Sequence, residues 1–377
     1  MSDSATDMTP QRLPGRDLDE AAEHGGDLGA ARRRFPGARE PFIDLSTGIN
    51  PRPYRAPRFS AESLTRLPQA EAFAALRAAA ARAYGTPSAA CVVPAPGTQI
   101  LLPLAAALVR CGRAAIPAAS YPEYARTAAL AGHEVKPWRT LGEWGDATLV
   151  MLGNPNNPDG RLFAKHDLLA LADRLRRRGG VLVVDEAFMD VGPPGISLAG
   201  DVARGNIVVL RSFGKFFGLA GLRLGFALAA PAPAARLSAA LGPWAVSGPA
   251  LAVGTKALAD TDWMARTRRR LEKAATNLDA MLGGAGLNVV GGTDLFRLVH
   301  TRDAGALYRH LGRAGILVRS FSQHPNWLRF GLPASRQDWQ RLRRALSSFR
   351  SVAEAEAAPR LRRGSQGHRG GKDSDRV

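Results

Sequence analysis

Short apolar runs and helical stretches take turns along the first 210 residues, and no other feature restricts the fold as much. The runs lie at 91–93, 114–117, 135–138, 147–152, 181–184 and 207–210. Before and between them, 71–84, 100–110, 121–131 and 167–178 read as helices, with Phe73, Leu76 and Ala80 on one face of the first. Gly85-Thr86-Pro87 ends that helix, and Gly179-Gly180 ends the one at 167–178. Strands this short and this apolar are buried on both faces. Their alternation with helices predicts an α/β fold, a doubly wound and mostly parallel sheet. Ligands bind such sheets at the carboxyl ends of the strands. Gly97, Asn157, Asp185 and Ser212 all fall just past such ends.

The rest of the chain reads differently. A short strand at 42–46 ends at Gly48-Ile49-Asn50-Pro51, and the proline-rich stretch 51–68 is expected to be an irregular connection. After Pro243 come helices at 247–259, 262–282, 303–313 and 336–350, with strands at 287–290, 295–300, 316–319 and 327–331. That pattern predicts a second, smaller α+β lobe. The expected division is a disordered 1–21, a segment 22–50 joining the smaller lobe, a large domain 51–243, a small domain 244–351 and a disordered basic tail 352–377.

The net charge of +18 raises the question of nucleic acid. The arginines are spread along the chain, in short runs such as Arg176–Arg178, and no nucleic-acid module accompanies them, so no nucleic-acid partner is expected. Such a field suits an anionic small molecule instead. No apolar run reaches the roughly 20 residues a bilayer requires, and the N-terminus lacks the pattern of a signal peptide. Cys91 and Cys111 are the only cysteines, too few for a disulfide framework or a metal set. A cytoplasmic protein without membrane or metal is the expectation.

Only six lysines stand among the 51 basic residues, and one of them, Lys215, lies between Ser212-Phe213-Gly214 and the glycine-spaced run Gly218, Gly221, Gly225. Where charge alone suffices this chain uses arginine. A lysine amine can condense with an aldehyde, which a guanidinium cannot do. A glycine-rich loop carrying a snorkelling lysine is the competing reading of this stretch alone.

Four features stand in fixed order: Gly97-Thr98-Gln99, NPNNPDG at 154–160, VVDEAF at 183–188 and SFGKFFGLAGLRLG at 212–225. This order resembles the fold-type I pyridoxal-phosphate enzymes of aminotransferase class I/II, over roughly 24–350. The resemblance implies that Lys215 holds pyridoxal 5′-phosphate and shuttles a proton at the substrate Cα. It implies that Asp185 faces the pyridine nitrogen, that Asn157 donates to the ring O3′ and that Tyr121 stacks on the ring. Gly97, Thr98, Gln99, Ser212 and Arg223 would surround the cofactor phosphate, and Arg329 would bind the substrate carboxylate. Phe188 replaces the tyrosine usual beside O3′, Asp159 replaces a threonine, and Leu67 stands where many relatives place a tyrosine that reaches the neighbouring subunit. A homodimer is implied nonetheless.

Within this family the chain is most similar to the threonine-phosphate decarboxylases of cobalamin biosynthesis. The resemblance rests on His24-Gly25-Gly26, on 44–51 (DLSTGINP) and on Phe188. It implies that the segment 22–50 serves as an active-site lid, and that a small phosphorylated amino acid is the substrate, with His24 and Arg319 at its phosphate. Gly48 matches a substrate-contacting position that is asparagine in some members. The implied reaction is decarboxylation of L-threonine O-3-phosphate to (R)-1-aminopropan-2-yl phosphate. A histidinol-phosphate-type aminotransferase is the alternative. Which bond at Cα breaks depends on how Arg329, Arg319 and His24 hold the two anionic ends of the substrate.

Overall fold

The computed structural model describes residues 24–56 and 58–357. In chain order its strands are β1 (Ile43–Leu45), β2 (Val92–Ala95), β3 (Arg113–Pro117), β4 (Glu134–Trp138), β5 (Leu149–Gly153), β6 (Val181–Asp185), β7 (Ile207–Ser212), β8 (Gly225–Leu228), β9 (Asn288–Thr293), β10 (Phe296–His300), β11 (Ile316–Ser320) and β12 (Trp327–Gly331). Seven of them form one sheet in the order β2-β8-β7-β6-β5-β3-β4, and five form another in the order β1-β11-β12-β10-β9.

The apolar runs do what their composition requires. Every residue of β5 and of β7 is buried. Alternate side chains feed two cores. Val150, Leu152, Leu182, Val184, Ile207 and Val209 pack on one side of the sheet. Leu149, Met151, Val183, Val208 and Leu210 pack on the other. Each such side chain contributes roughly 1.5–3 kcal/mol by leaving water, which sets the strand register firmly.

One strand departs from the parallel pattern. β8 runs antiparallel to both of its neighbours, β2 and β7. Its beginning therefore lies at the same sheet edge as the carboxyl ends of β2, β5, β6 and β7. That reversal brings Arg223 and Gly225 to the edge that already carries Gly97, Asp185 and Ser212.

The second sheet is antiparallel except where β1 pairs with β11, which brings a strand from the N-terminal segment into the C-terminal sheet. The proline-rich connection is not wholly irregular: Ala61–Thr65 makes one helical turn, capped by the Ser60 side chain on the Ser63 amide. Five residues without proline or glycine suffice for that. The last helix, Arg336–Ala357, continues past the expected end at 350 and takes in 352–357, which were expected to open the disordered tail, because SVAEAEA carries good helix formers. The expected disorder of 1–21, and the tail beyond 357, lie outside the described residues. No helix among the described residues is long and apolar enough to cross a membrane.

Candidate active site

A cavity of about 670 Å³ opens between the two sheets. Of the fourteen residues expected at a site, all but Gly48 line it. Gly48 is buried behind the wall: a Cβ there would stand 2.8 Å from Phe188 and 2.9 Å from Phe296, so the glycine lets these rings pack at 5.0 Å. The structure thus gives Gly48 a packing role next to the cavity and no place on its surface.

Lys215 sits on a single helical turn, Phe213–Phe216, that follows β7 directly. Aromatic packing fixes this turn. Phe213 stacks on Phe217 at 4.3 Å, and Phe217 stacks on Trp263 at 5.4 Å. Asn50 ties it from the N-terminal segment, donating its amide Nδ2 to the Phe216 carbonyl at 2.8 Å and its backbone N–H to that of Lys215 at 2.9 Å. The Lys215 amine lies 5.8 Å from the centre of the Phe188 ring. Burial in the protein interior, then the neighbouring Arg329, lower its pKa to about 8, against the opposing pull of Asp185. An amine so placed is neutral far more often near pH 7 than an ordinary lysine.

Asp185 ends β6 beneath the same cavity. Its Oδ2 accepts from the Tyr124 hydroxyl at 2.9 Å and its Oδ1 from the Ala187 amide at 3.0 Å. Burial raises its pKa, and these two donors and Lys215 only partly offset that. A cation set against this carboxylate would restore its charge. The next residue points away: Glu186 accepts from Arg211 at 3.0 Å, and Arg211 also donates to Asp190 at 2.8 Å. The buried trio holds the β6 and β7 ends together behind the site.

Across the cavity, Arg329 donates from Nη1 to Asn157 Oδ1 at 2.6 Å and from Nη2 to the Ser46 carbonyl at 2.9 Å. Its Nε is buried with no partner among the described residues. Burial, then Arg319, lower its pKa to about 10. Arg319 and Arg329 are register partners on β11 and β12, so two guanidiniums face one cavity side by side. An orphaned buried donor and two adjacent cations together call for an anion.

The opposite end also suits an anion. Gly97 has φ +92°, and a Cβ there would lie 2.6 Å from Arg223 Nη2. At Gly225 a Cβ would meet the Thr98 amide nitrogen at 2.8 Å. Arg223 itself holds φ +55°, a strained conformation for a residue with a side chain. Two glycines and a strained arginine thus crowd the Gly97–Gln99 turn against Ser212, leaving a cradle of backbone and guanidinium N–H groups. Tyr121 stands in the wall beside them, its hydroxyl donating to Gln99 at 3.2 Å.

The family model for aminotransferase class I and II matches residues 41–348. The chain belongs to that family. It is 45% identical over 327 residues to a threonine-phosphate decarboxylase from Sinorhizobium sp., covering 86% of this chain and 97% of the relative. A threonine-phosphate decarboxylase from Pseudomonas aeruginosa is 43% identical over 338 residues, covering 88% of this chain and 99% of that one. Among solved structures, a histidinol-phosphate aminotransferase from Sinorhizobium meliloti in complex with pyridoxal-5′-phosphate shares the fold. Its TM-score is 0.71 at 20% identity, covering 86% of this chain and 95% of that one. Enzymes of this family depend on pyridoxal 5′-phosphate, and the residues present fit the group: an amine, a carboxylate below it and an anion cradle line one cavity.

Tyr124, Glu123, Ser46 and Thr47 also line the cavity and were not anticipated. Tyr124 follows Tyr121 by three residues, so on a helix the two share a face, and that spacing was the available signal. Ser46 and Thr47 lie in the 44–51 motif that carried the resemblance, but their place at the cavity depends on the long-range pairing of strand β1 with β11.

Proposed function

We propose that this chain decarboxylates L-threonine O-3-phosphate to (R)-1-aminopropan-2-yl phosphate and CO2, with pyridoxal 5′-phosphate as cofactor, in cobalamin biosynthesis. The observation that carries the reading within the cavity is the side-by-side pair Arg319 and Arg329. Threonine phosphate has two anionic ends close together, a carboxylate and a phosphate, which such a pair can hold at once. The near full-length similarity to two threonine-phosphate decarboxylases supports the same choice.

Bound pyridoxal phosphate supplies an aldehyde for amine exchange and a ring that takes up the electron pair released at Cα. Ser212, Arg223 and the Gly97–Gln99 turn would hold its phosphate, and Tyr121 would cover the ring. Asp185, steadied by Tyr124, would keep the ring nitrogen protonated. Asn157 has its oxygen engaged by Arg329, so its NH2 is the group it can offer to the ring O3′. Phe188, lacking a hydroxyl, contributes shape only. Arg329 would grip the substrate carboxylate, and Arg319 with His24 the phosphate. Lys215, released by amine exchange, would then deliver the proton that replaces the departing carboxylate at Cα.

We also take the chain to act as a cytoplasmic homodimer. Phe59, Leu64 and Leu67 are exposed within one stretch, Leu64 to 70%, and a second copy would cover them.

Cofactor-loaded protein given L-threonine O-3-phosphate, with and without 2-oxoglutarate, tests the reading. Release of CO2 and aminopropanol phosphate without any keto acid is the expected result. Glutamate formed only when 2-oxoglutarate is present, with no CO2, would make the enzyme an aminotransferase.

A further inference from the structure

Glu123 is a carboxylate for which the reaction has no acid or base role, yet it lies in the cavity wall with its side chain 4% exposed. It opens the helix Glu123–Leu130, directly after Pro122. A buried carboxylate has to be paired, and Arg126 alone would serve: it donates from Nη2 at 2.6 Å and from Nε at 2.9 Å to Oε2, and from Nε at 3.0 Å to Oε1. The same carboxylate takes two further partners from elsewhere in the chain. Gln99 donates its side-chain amide to Oε2, and His24 Nε2 stands 3.8 Å from Oε1.

These two partners come from distant parts of the chain. Gln99 is part of the turn in the anion cradle, and its own side-chain oxygen accepts from Tyr121 at 3.2 Å. His24 is the first described residue of the N-terminal segment, its ring 6.2 Å from that of Tyr121. Next to it, Gly26 donates to Ser46 Oγ at 2.8 Å, and a Cβ on Gly25 would stand 2.4 Å from the Ser46 carbonyl oxygen. Those contacts moor the segment to strand β1 and the second sheet. The pair with Glu123 carries it across to the first sheet.

We propose that Glu123 is a positioning residue that draws His24 and Gln99 to one edge of the cavity, so that the N-terminal segment closes over a phosphorylated substrate. The role of His24 rests on the phosphate-bearing substrate argued above. On this reading Glu123 acts through those two residues and needs no contact of its own with substrate or cofactor. Its charge orients the imidazole and keeps the Gln99 side chain turned into the wall.

The test is Glu123→Gln, which keeps the shape and an acceptor for Gln99 and removes the charge facing His24. In cofactor-loaded enzyme, KM for L-threonine O-3-phosphate should rise about fivefold while kcat changes less than about twofold, the range of one partly exposed charge pair. His24→Ala alters an exposed side chain and leaves folding aside. Combining it with Glu123→Gln should raise KM no further than His24→Ala alone, because both remove one interaction. Hydrogen exchange at the Gly25 and Gly26 amides, with and without inorganic phosphate, reports the closure whatever the substrate is. Faster exchange in both variants is expected. Additive KM effects, or exchange unchanged from wild type, would overturn the proposal. Failure of the wild-type enzyme to decarboxylate threonine phosphate would count against the proposed reaction, while the exchange measurement would still decide the role of Glu123.

Discussion

The two walls of the cavity are built on different plans. The wall from the seven-stranded sheet carries Asp185 on the buried end of one strand and Lys215 on the helical turn that follows another, and protein groups hold both residues from behind. The wall from the smaller sheet and the N-terminal segment carries Arg319, Arg329 and His24. Of these Arg329 is buried, Arg319 half-buried and His24 exposed. The groups we propose to meet reacting atoms are fixed by packing that no ligand has to complete. The groups we propose to select a substrate sit on strands and a segment brought together from the two ends of the chain, and Arg319 and His24 keep some exposure there. The difference teaches that chemistry and selection can be disturbed separately.

The largest disturbance should come from the first wall. Lys215→Ala removes the amine and leaves the Phe213, Phe217 and Trp263 stack intact. Turnover should fall by about a thousandfold or more, since both covalent attachment and proton delivery are lost. Circular dichroism should be unchanged. A residual rate within about tenfold of wild type would mean that this wall is not where the chemistry happens.

A smaller and differently shaped loss should follow on the second wall. Arg329→Lys keeps the charge but cannot serve Asn157 and the Ser46 carbonyl together, as the planar guanidinium does. Steady-state kinetics should give a KM raised by about ten- to a hundredfold, with a lesser fall in kcat. Equal losses in both constants would instead place Arg329 with the first wall and blur the distinction.

The first wall was far more legible in the sequence than the second. Each of its groups lies within three residues of a strand end, so an apolar run followed by a polar residue exposes it without any knowledge of pairing. Strand β8 escaped notice because its four residues, GFAL, begin with glycine and are too few to show a period. The turn at Ala61–Thr65 hid between prolines. Arg319 and Arg329 could be named only through family resemblance, because their meeting depends on the register of β11 with β12, a long-range fact. Nothing in the sequence marks Glu123 apart from an ordinary acid near the start of a helix. Gly48 was placed on the correct strand end, yet chain position alone cannot distinguish a surface of the cavity from the packing just behind it.

The walls are nevertheless coupled through charge, and pH can measure that coupling. The Lys215 amine reacts with an aldehyde only when neutral. With its pKa near 8, about a tenth of it is neutral at pH 7 and about nine-tenths at pH 9. Cofactor uptake by the apoenzyme, followed by absorbance, should therefore quicken roughly tenfold between those values and then level off. An unperturbed lysine would keep gaining rate past pH 10. Burial is the main cause of the lowered pKa, but Arg329 is the next, and it sits on the opposite wall. Arg329→Met removes that cation, so the amine should hold its proton to higher pH and the midpoint of the uptake curve should move up. A midpoint that stays in place would mean that the two walls act independently even in their electrostatics, with burial alone setting the lysine.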